Sequence, residues 1–535
     1  MVTRVTAALT GKRPARLQPE KTAPRRPEKP AASPPWRPHL PDERMSKVDT
    51  AFLRMDNPGN LMQITGVWQF APGVKYAAVC ERIENTLVRY DRFRQCAVQD
   101  ATGASWVADR HFDLAHHVLR EKLPASAPGA QELALQERVA ELASQPLDRS
   151  RPLWQFHLVE HYTSLDGVRG SAMILRIHHC IADGIALLGV IMSMADGGAP
   201  PPMPGEPGAA AAPPDTQNGQ DAQAWMVDSV LTPLTRLAVR TLDALGDGAA
   251  RSLGRLNQPG GGLGLERGIE AGVKGSLDMA RLLLQVAGDS AALTLMPNDS
   301  ATRLKGKSCG IKKVAWCQPV PLDEVKAVGK ALGCSLNDVL LGCLAGALGE
   351  YLKSLGDDVD GQDIRAMVPV NLREPAPSPT LGNHFGLAPL LLPIGVSNPV
   401  ERVFEVRRRM AALKGSYQPL LAFGLMAAAG LCPKSAQDAM LEFFSKKTTA
   451  VMTNVPGPQG KLRFCGAVLE QTMFWVPQSG DVGLGVSILS YGGGVQFGVI
   501  TDSALCPQPQ RIVDEFMPEF ARLSMVTLML PWDEA

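Results

Sequence analysis

No stretch of about 18 uninterrupted apolar residues occurs in the 535-residue chain, so a membrane-spanning helix is not expected. Net charge is almost absent as well. The 54 Lys and Arg stand against 53 Asp and Glu, and a near-neutral balance argues against a nucleic-acid partner, which needs a basic surface. The ten cysteines form no CxxC pair and no regular spacing. They read as reduced thiols of a cytosolic protein, neither a disulfide framework nor a zinc site. The first 44 residues lack the apolar core of a signal peptide. They hold ten Lys and Arg, four acids and nine prolines, a composition that cannot bury enough apolar surface to offset its ordering entropy. A disordered tail is expected over 1–44: a solvated segment, one ahead of a start at Met45, or one that attracts anionic lipid headgroups.

What is present is apolar residue in quantity, 45% of the chain, enough for a sizeable core divided among two to four units. One stretch is conspicuous for its polarity: His178-His179-Cys180-Ile181-Ala182-Asp183-Gly184. It follows a short branched run, Ser171 to Ile177, that reads as a buried strand, and precedes Ile185 to Met194, which reads as a helix. Two imidazoles and a carboxylate in a turn flanked by core each need a partner, because burying them unpaired costs free energy.

Around that turn the periodicity predicts an α/β region over 45–196. Ser46-Lys47-Val48-Asp49 resembles a capping box that opens a short helix to Met55. Gln63 to Phe70 alternates as a strand, Val74 to Tyr90 has helical spacing, and Phe93–Val98 with Ser105–Ala108 reads as a hairpin. A helix over Gln131–Ser144 and strands over Trp154–Glu160 and Gly170–Ile177 lead into the histidine turn. A Pro/Gly/Ala-rich linker follows, and 197–298 is assigned to it together with two amphipathic stretches, Trp225 to Leu245 and Ile269 to Leu295. Those stretches, and apolar Pro419 to Leu431, are either core helices or surfaces that dock on lipid. A second α/β half, 299–535, loosely repeats the order of the first. Its strands are Lys312–Pro319, Asp363–Val370, Leu387–Ile394, Thr448–Asn454, Val482–Leu489 and Val495–Thr501. Its helices cover Leu322–Leu332, the segment opened by Ser335-Leu336-Asn337-Asp338, three segments between Pro399 and Ser445, and Pro509–Ser524.

As bare chemistry, a neutral imidazole can take a proton from an alcohol or thiol and return it. Adjacent residues on extended backbone point to opposite sides, so only one of His178 and His179 can face a given site. Asp183 can orient an imidazole or pair with an arginine elsewhere and hold the turn. Rival readings of the same residues are weaker. A metal site lacks a third ligand cluster, and neighbouring histidines diverge. Gly306-Lys307-Ser308-Cys309-Gly310 matches GxSxG, but polar Asp299 to Lys305 precedes it where a hydrolase elbow needs a core strand. The same segment fails as a phosphate loop because position 301 is alanine. Two histidines satisfied in a polar turn, with no catalytic part, remain a bland alternative. Cys180 reads as a small buried residue, not as a nucleophile.

With the residues in hand, His178-His179-xxx-Asp183-Gly184 resembles the HHxxxDG motif of the CoA-dependent acyltransferase superfamily. Further stretches narrow the resemblance to the bacterial wax ester synthase/acyl-CoA:diacylglycerol acyltransferase family. They are Asp49-Thr-Ala-Phe52-Leu53, Pro152-Leu153-Trp154, Ser335-Leu336-Asn337-Asp338-Val339, Val368-Pro-Val-Asn-Leu-Arg373, Leu381-Gly382-Asn383 and Thr453-Asn-Val-Pro-Gly-Pro458, in order over about Met45 to Asp514.

The resemblance implies two chloramphenicol-acetyltransferase-like α/β halves with mixed sheets, joined by a linker with helices, and a substrate tunnel between them. It implies His179 as general base with His178 in support, Asp183 as the structural member of the motif, and Gly184 as the position that clears space for substrate. Asn337 is the candidate donor to the oxyanion. Pro152, Leu153, Trp154, Asp338 and Asn383 are expected near substrate. Acyl-CoA would be co-substrate, with no metal or other cofactor. Long-chain fatty alcohol or diacylglycerol would be acceptor, at the inner membrane or a lipid droplet reached from the cytoplasm, with homodimerisation open. A condensation-type enzyme using a carrier-protein thioester and a catalytically silent lipid-binding relative are the alternatives.

Overall fold

Short branched runs become strands and stretches of 3.6-residue period become helices in the computed structural model. It describes residues 42–100, 103–124, 128–199, 289, 295–373, 381–430, 432 and 434–530. The expected tail up to residue 41, most of the expected linker, and the Trp225 to Leu245 and Ile269 to Leu295 stretches, apart from positions 289 and 295, lie outside the described residues. In chain order the first half contributes β1 (Glu43–Arg44), α1 (Lys47–Met55), β2 (Gln63–Ala71), α2 (Tyr76–Asn85), β3 (Gln95–Asp100), β4 (Gly103–Ala108), β5 (Val118–Glu121), α3 (Pro128–Ala143), β6 (Trp154–Thr163), β7 (Arg169–His178) and α4 (Gly184–Met194). The second contributes β8 (Lys312–Trp316), β9 (Val320–Pro321), α5 (Leu322–Ala331), α6 (Leu336–Ser354), β10 (Ile364–Asn371), β11 (Phe385–Leu392), α7 (Pro399–Lys414), α8 (Gln418–Ala429), α9 (Lys434–Ser445), β12 (Ala450–Pro456), β13 (Arg463–Phe464), β14 (Ala467–Trp475), β15 (Leu484–Tyr491), β16 (Gly494–Asp502) and α10 (Pro509–Leu528).

Two mixed sheets carry the fold. The first runs β13-β14-β2-β7-β6-β5 and the second β11-β10-β12-β15-β16-β8, with β9 on β16. Parallel pairing occurs between β5 and β6 and from β10 through β12 to β15; the other pairs in these two sheets are antiparallel. Positions 63–70 of β2 and 171–178 of β7 are buried on both faces; that suits the apolar run of β7, whereas β2, which alternates in sequence, buries its polar positions Gln63, Thr65 and Gln69 as well. In the second half the 19-residue α6 buries Leu340, Leu344, Leu348 and Leu352 in one core cluster with residues of β10, β12, β15 and β16. Among the described residues no single helix is long and apolar enough to cross a membrane.

The halves are not separate in space as they are in sequence. β14 belongs to the second half of the chain, yet it pairs antiparallel with β2, Trp475 opposite Thr65 and Val468 opposite Ala71. It covers an edge of β2 that would otherwise expose unpaired backbone groups. A shared core forms behind this exchange, where Val67, Leu135, Val139 and Ile174 meet Trp316, Met473, Trp475 and Ile500. Trp316 and Trp475 lie 5.9 Å apart, and the Trp316 indole N–H donates to buried Glu132 of α3 at 2.5 Å. The boundary at residue 299 therefore describes chain order and not packing.

Capping at the start of α1 also differs from the expected box. Ser46 accepts from the Asp49 N–H at 3.0 Å, but the Asp49 carboxylate accepts from Asn383 instead of returning to the Ser46 backbone. Truncating the shared core tests the exchange. Trp475→Ala should cost about 3–5 kcal/mol and leave one urea transition, coincident by fluorescence and far-UV circular dichroism. Two separated transitions, with only one shifted by the substitution, would show that the halves do not share a core.

Candidate active site

β7 ends at His178 and α4 begins at Gly184, so the motif occupies a strand-to-helix turn. Backbone hydrogen bonds fix it from the first half: His178 N–H donates to Leu153 O at 2.9 Å and His179 N–H to Met62 O at 2.7 Å. Both imidazoles are 3% exposed, yet they go opposite ways. The His178 ring accepts from the Cys180 N–H at Nδ1, 3.1 Å, and its Nε2 lies 3.8 Å from the Asp56 carboxylate. Asp56 in turn accepts from Arg149 and from the Met62 N–H. Burial would raise the Asp56 carboxyl, but His178 and Arg149 together hold it down at about 2.

The His179 ring instead lines a cavity of about 270 Å³. It stacks on Phe52 of α1 at 4.4 Å and 9° and touches Phe385 of β11 at 5.5 Å. Nδ1 is enclosed and has no hydrogen-bond partner among the described residues. Burial pushes this imidazole well below the ordinary histidine range, outweighing the Asp183 charge and the neighbouring polar groups that favour the protonated ring. At neutral pH the ring is therefore uncharged, because the low-polarity surroundings penalise imidazolium more than Asp183 rewards it.

The second half closes the turn. Asp183 caps α4 through Ala186 N–H at 2.9 Å, and its other oxygen accepts from Arg373 at 2.8 Å and from His384 N–H at 3.0 Å. Gly382 N–H donates to Ile181 O at 3.0 Å, and Arg373 also donates to Gly382 O. Gly382 has φ +102°, a backbone state that favours glycine. Asn383 donates through Nδ2 to the His179 carbonyl and to the Asp49 carboxylate, both at 2.7 Å. Burial raises the Asp49 carboxyl despite these hydrogen bonds.

The cavity opens between the halves. Gly184, Ile185 and Leu188 of α4 face Met367, Pro369 and Asn371 of β10, and α8, α9 and β12 supply further walls that are mainly apolar. Of the residues expected near substrate, His179, Asp183 and Gly184 line it. A Cβ at Gly184 would meet only the Phe474 ring, at 3.6 Å, so the space there is cavity. Asn383 lies behind the turn. Pro152, Leu153 and Trp154 do not line this cavity; Trp154 is buried between Phe93, His117 and Phe156, and with Pro152 it borders a separate cavity of about 190 Å³. Asp338 completes the capping box of α6 with Ser335. Asn337 is also off the wall, and its carbonyl accepts from Asn454 at 2.8 Å, which is on it. The stretch 306–310 is coil ahead of β8, with Cys309 and Gly310 N–H donating to Asp502, so no nucleophile elbow forms. Of the apolar segment from Pro419, Ala422, Leu425 and Met426 face the cavity.

Sequence reading left the arginine of Asp183 unnamed; it is Arg373, at the end of the Val368 to Arg373 stretch. The roles of Phe52, Phe385 and His384 were not legible, because each depends on which strands meet. The clasp can be measured. Arg373→Met should cost about 3 kcal/mol by leaving a buried carboxylate short of its cation. Combined with Asp183→Asn, it should cost less than the two single changes added. Strict additivity in urea titrations would remove the pairing.

Residues 45–340 match the wax ester synthase/diacylglycerol acyltransferase catalytic domain, and residues 381–524 match the WS/DGAT C-terminal domain. A putative diacylglycerol O-acyltransferase of Mycobacterium tuberculosis is 31% identical over 375 residues, covering 68% of this chain but 66%, just under two thirds, of that protein. Another from the same organism is 29% identical over 484 residues, 88% of this chain and 96% of the other. Among solved structures, a wax ester synthase/diacylglycerol acyltransferase from Marinobacter aquaeolei VT8 superposes with TM-score 0.59 at 21% identity, covering 91% and 99% of the two chains. The first condensation domain of the calcium-dependent antibiotic synthetase follows at 0.53 and 14%, covering 92% and 97%. These two likenesses show the fold alone, two α/β parts with mixed sheets. On its catalytic and C-terminal domain matches together, the chain belongs to the wax ester synthase/diacylglycerol acyltransferase family of acyltransferases.

Proposed function

We propose that the protein transfers a fatty acyl group from acyl-CoA to the hydroxyl of a long-chain alcohol or a diacylglycerol, with His179 as general base. The observation that carries this reading is an imidazole in the wall of an apolar cavity between the halves, buried where its charged form is disfavoured. With Nδ1 enclosed, Nε2 is the nitrogen that takes the proton. The acceptor O–H gives its proton to Nε2 as its oxygen bonds to the thioester carbonyl carbon, and the carbonyl electron pair moves onto oxygen. Collapse breaks the C–S bond, and the departing thiolate takes the proton back from imidazolium, leaving ester and free CoA thiol. His179 acts twice, as base and then as acid, which a group neutral at working pH can do.

Direct transfer is favoured over a covalent intermediate at Cys180. That thiol is fully buried, and burial lifts it far above its ordinary range, where little nucleophilic thiolate exists. The apolar walls suit hydrocarbon and exclude water that would hydrolyse the thioester. Membership of a lipid-ester family supports these substrates over a carrier-protein thioester.

Radiolabelled palmitoyl-CoA offered with hexadecanol and with dioleoylglycerol in separate reactions tests the assignment. Labelled ester is expected; transfer only from a loaded carrier protein would overturn it. His179→Ala should fold and lose at least about 10³-fold in rate, in keeping with removal of a general base, whereas His178→Ala should lose less and Cys180→Ser should stay active. The pH dependence has a definite sign. Because His179 protonates below the ordinary value of about 6.5, kcat/KM should be flat between about pH 6 and 8 and fall only on further acidification. A half-maximal point at or above about 6.5 would mean that the base is not this buried ring.

A further inference from the structure

The second-half wall of the cavity changes character along one strand. The inward face of β10 presents Met367, Pro369 and then Asn371. In the antiparallel pairing with β11, Pro369 lies opposite Leu387 and Asn371 opposite Phe385. Directly opposed residues project to the same side of a sheet, so Asn371 stands beside Phe385, the ring that touches His179. The polar end of the row is thus the end at the base, and the apolar end at Met367 leads away from it.

The orientation of the Asn371 amide follows from its hydrogen bonds. Oδ1 accepts from the Arg373 N–H at 3.0 Å, which turns the oxygen toward the backbone. That leaves Nδ2, with its two N–H groups, as the part of the amide available to the cavity that Asn371 lines. Arg373 is also the residue whose guanidinium holds Asp183. The amide and the histidine turn are therefore linked through Arg373 and Asp183. Asn337, in contrast, is off the wall and occupied with Asn454, whose own Nδ2 is already donating.

We propose that Asn371 is a catalytic residue whose Nδ2–H donates to the thioester carbonyl oxygen as negative charge develops there. This rests on the reading of His179 as base. No bond to Asn371 forms or breaks; the N–H stabilises the oxyanion and is released when the C–S bond opens. A preorganised neutral donor suits a site from which water is excluded, since the interaction strengthens as charge accumulates and costs no rearrangement at that moment.

The full chain, assayed with palmitoyl-CoA and hexadecanol, decides the matter. Asn371→Ala should lower kcat about 100-fold, the size of effect that follows loss of one such donor, with KM for palmitoyl-CoA within about threefold. Asn371→Asp, equal in size and able to keep the Arg373 N–H contact but without a donor, should be at least as impaired. Both should melt within about 2 °C of the wild type. An Asn371→Ala enzyme within fivefold of wild-type kcat overturns the assignment. Ester formation undiminished in His179→Ala strikes the base reading, and this proposal falls with it. Wild-type activity, an inactive His179→Ala and a fully active Asn371→Ala strike Asn371 alone.

Discussion

The Asp183 carboxylate is the point on which the two halves of the molecule agree. It is buried, and three donors converge on it: the Ala186 N–H from its own helix, and Arg373 and the His384 N–H from the second half. A buried charge is costly unless every lone pair is used and a cation is near. Such a pair adds little net stability compared with apolar packing, but it is strongly sensitive to position. It selects the one arrangement in which the histidine turn and the 382–384 segment meet.

That arrangement determines what His179 is. The His179 backbone carbonyl accepts from the Asn383 amide, and the ring is covered by Phe52 from one half and Phe385 from the other. Low polarity around it disfavours the charged imidazole. Were the halves to part, the ring would gain water, its affinity for protons would return toward the ordinary range, and the apolar cavity would be open to water. Stability, protonation and chemistry therefore depend on one interface.

Much of the local structure was legible because it obeys local rules. The helix opened by Ser335 with its capping box, the strand into His178, and the opposed directions of His178 and His179 all follow from periodicity, capping and pleat, and the structure has them. The strand Ala467–Trp475 was not read. Its sequence, AVLEQTMFW, does not alternate cleanly, and its partner β2 lies about 400 positions earlier, a separation that propensity cannot see. Pro152, Leu153 and Trp154 were expected at substrate and instead pack behind the turn. A motif marks residues that occur together, and burial decides whether they face a cavity or the core.

By itself the sequence determined the family, the strand-turn-helix around the motif, and that only one of two adjacent histidines could face a site, since these rest on residue identity and short-range geometry. Only the tertiary structure decided the rest: that Arg373 is the partner of Asp183, that Asn454 and Asn371 reach the wall while Asn337 does not, and that the His179 ring is buried where its charged form is disfavoured. Each of those depends on contacts between residues about 190 to 330 positions apart, or on which face of a strand meets the opposite half. Long-range pairing and desolvation act through space, and nothing in the local pattern encodes the distance.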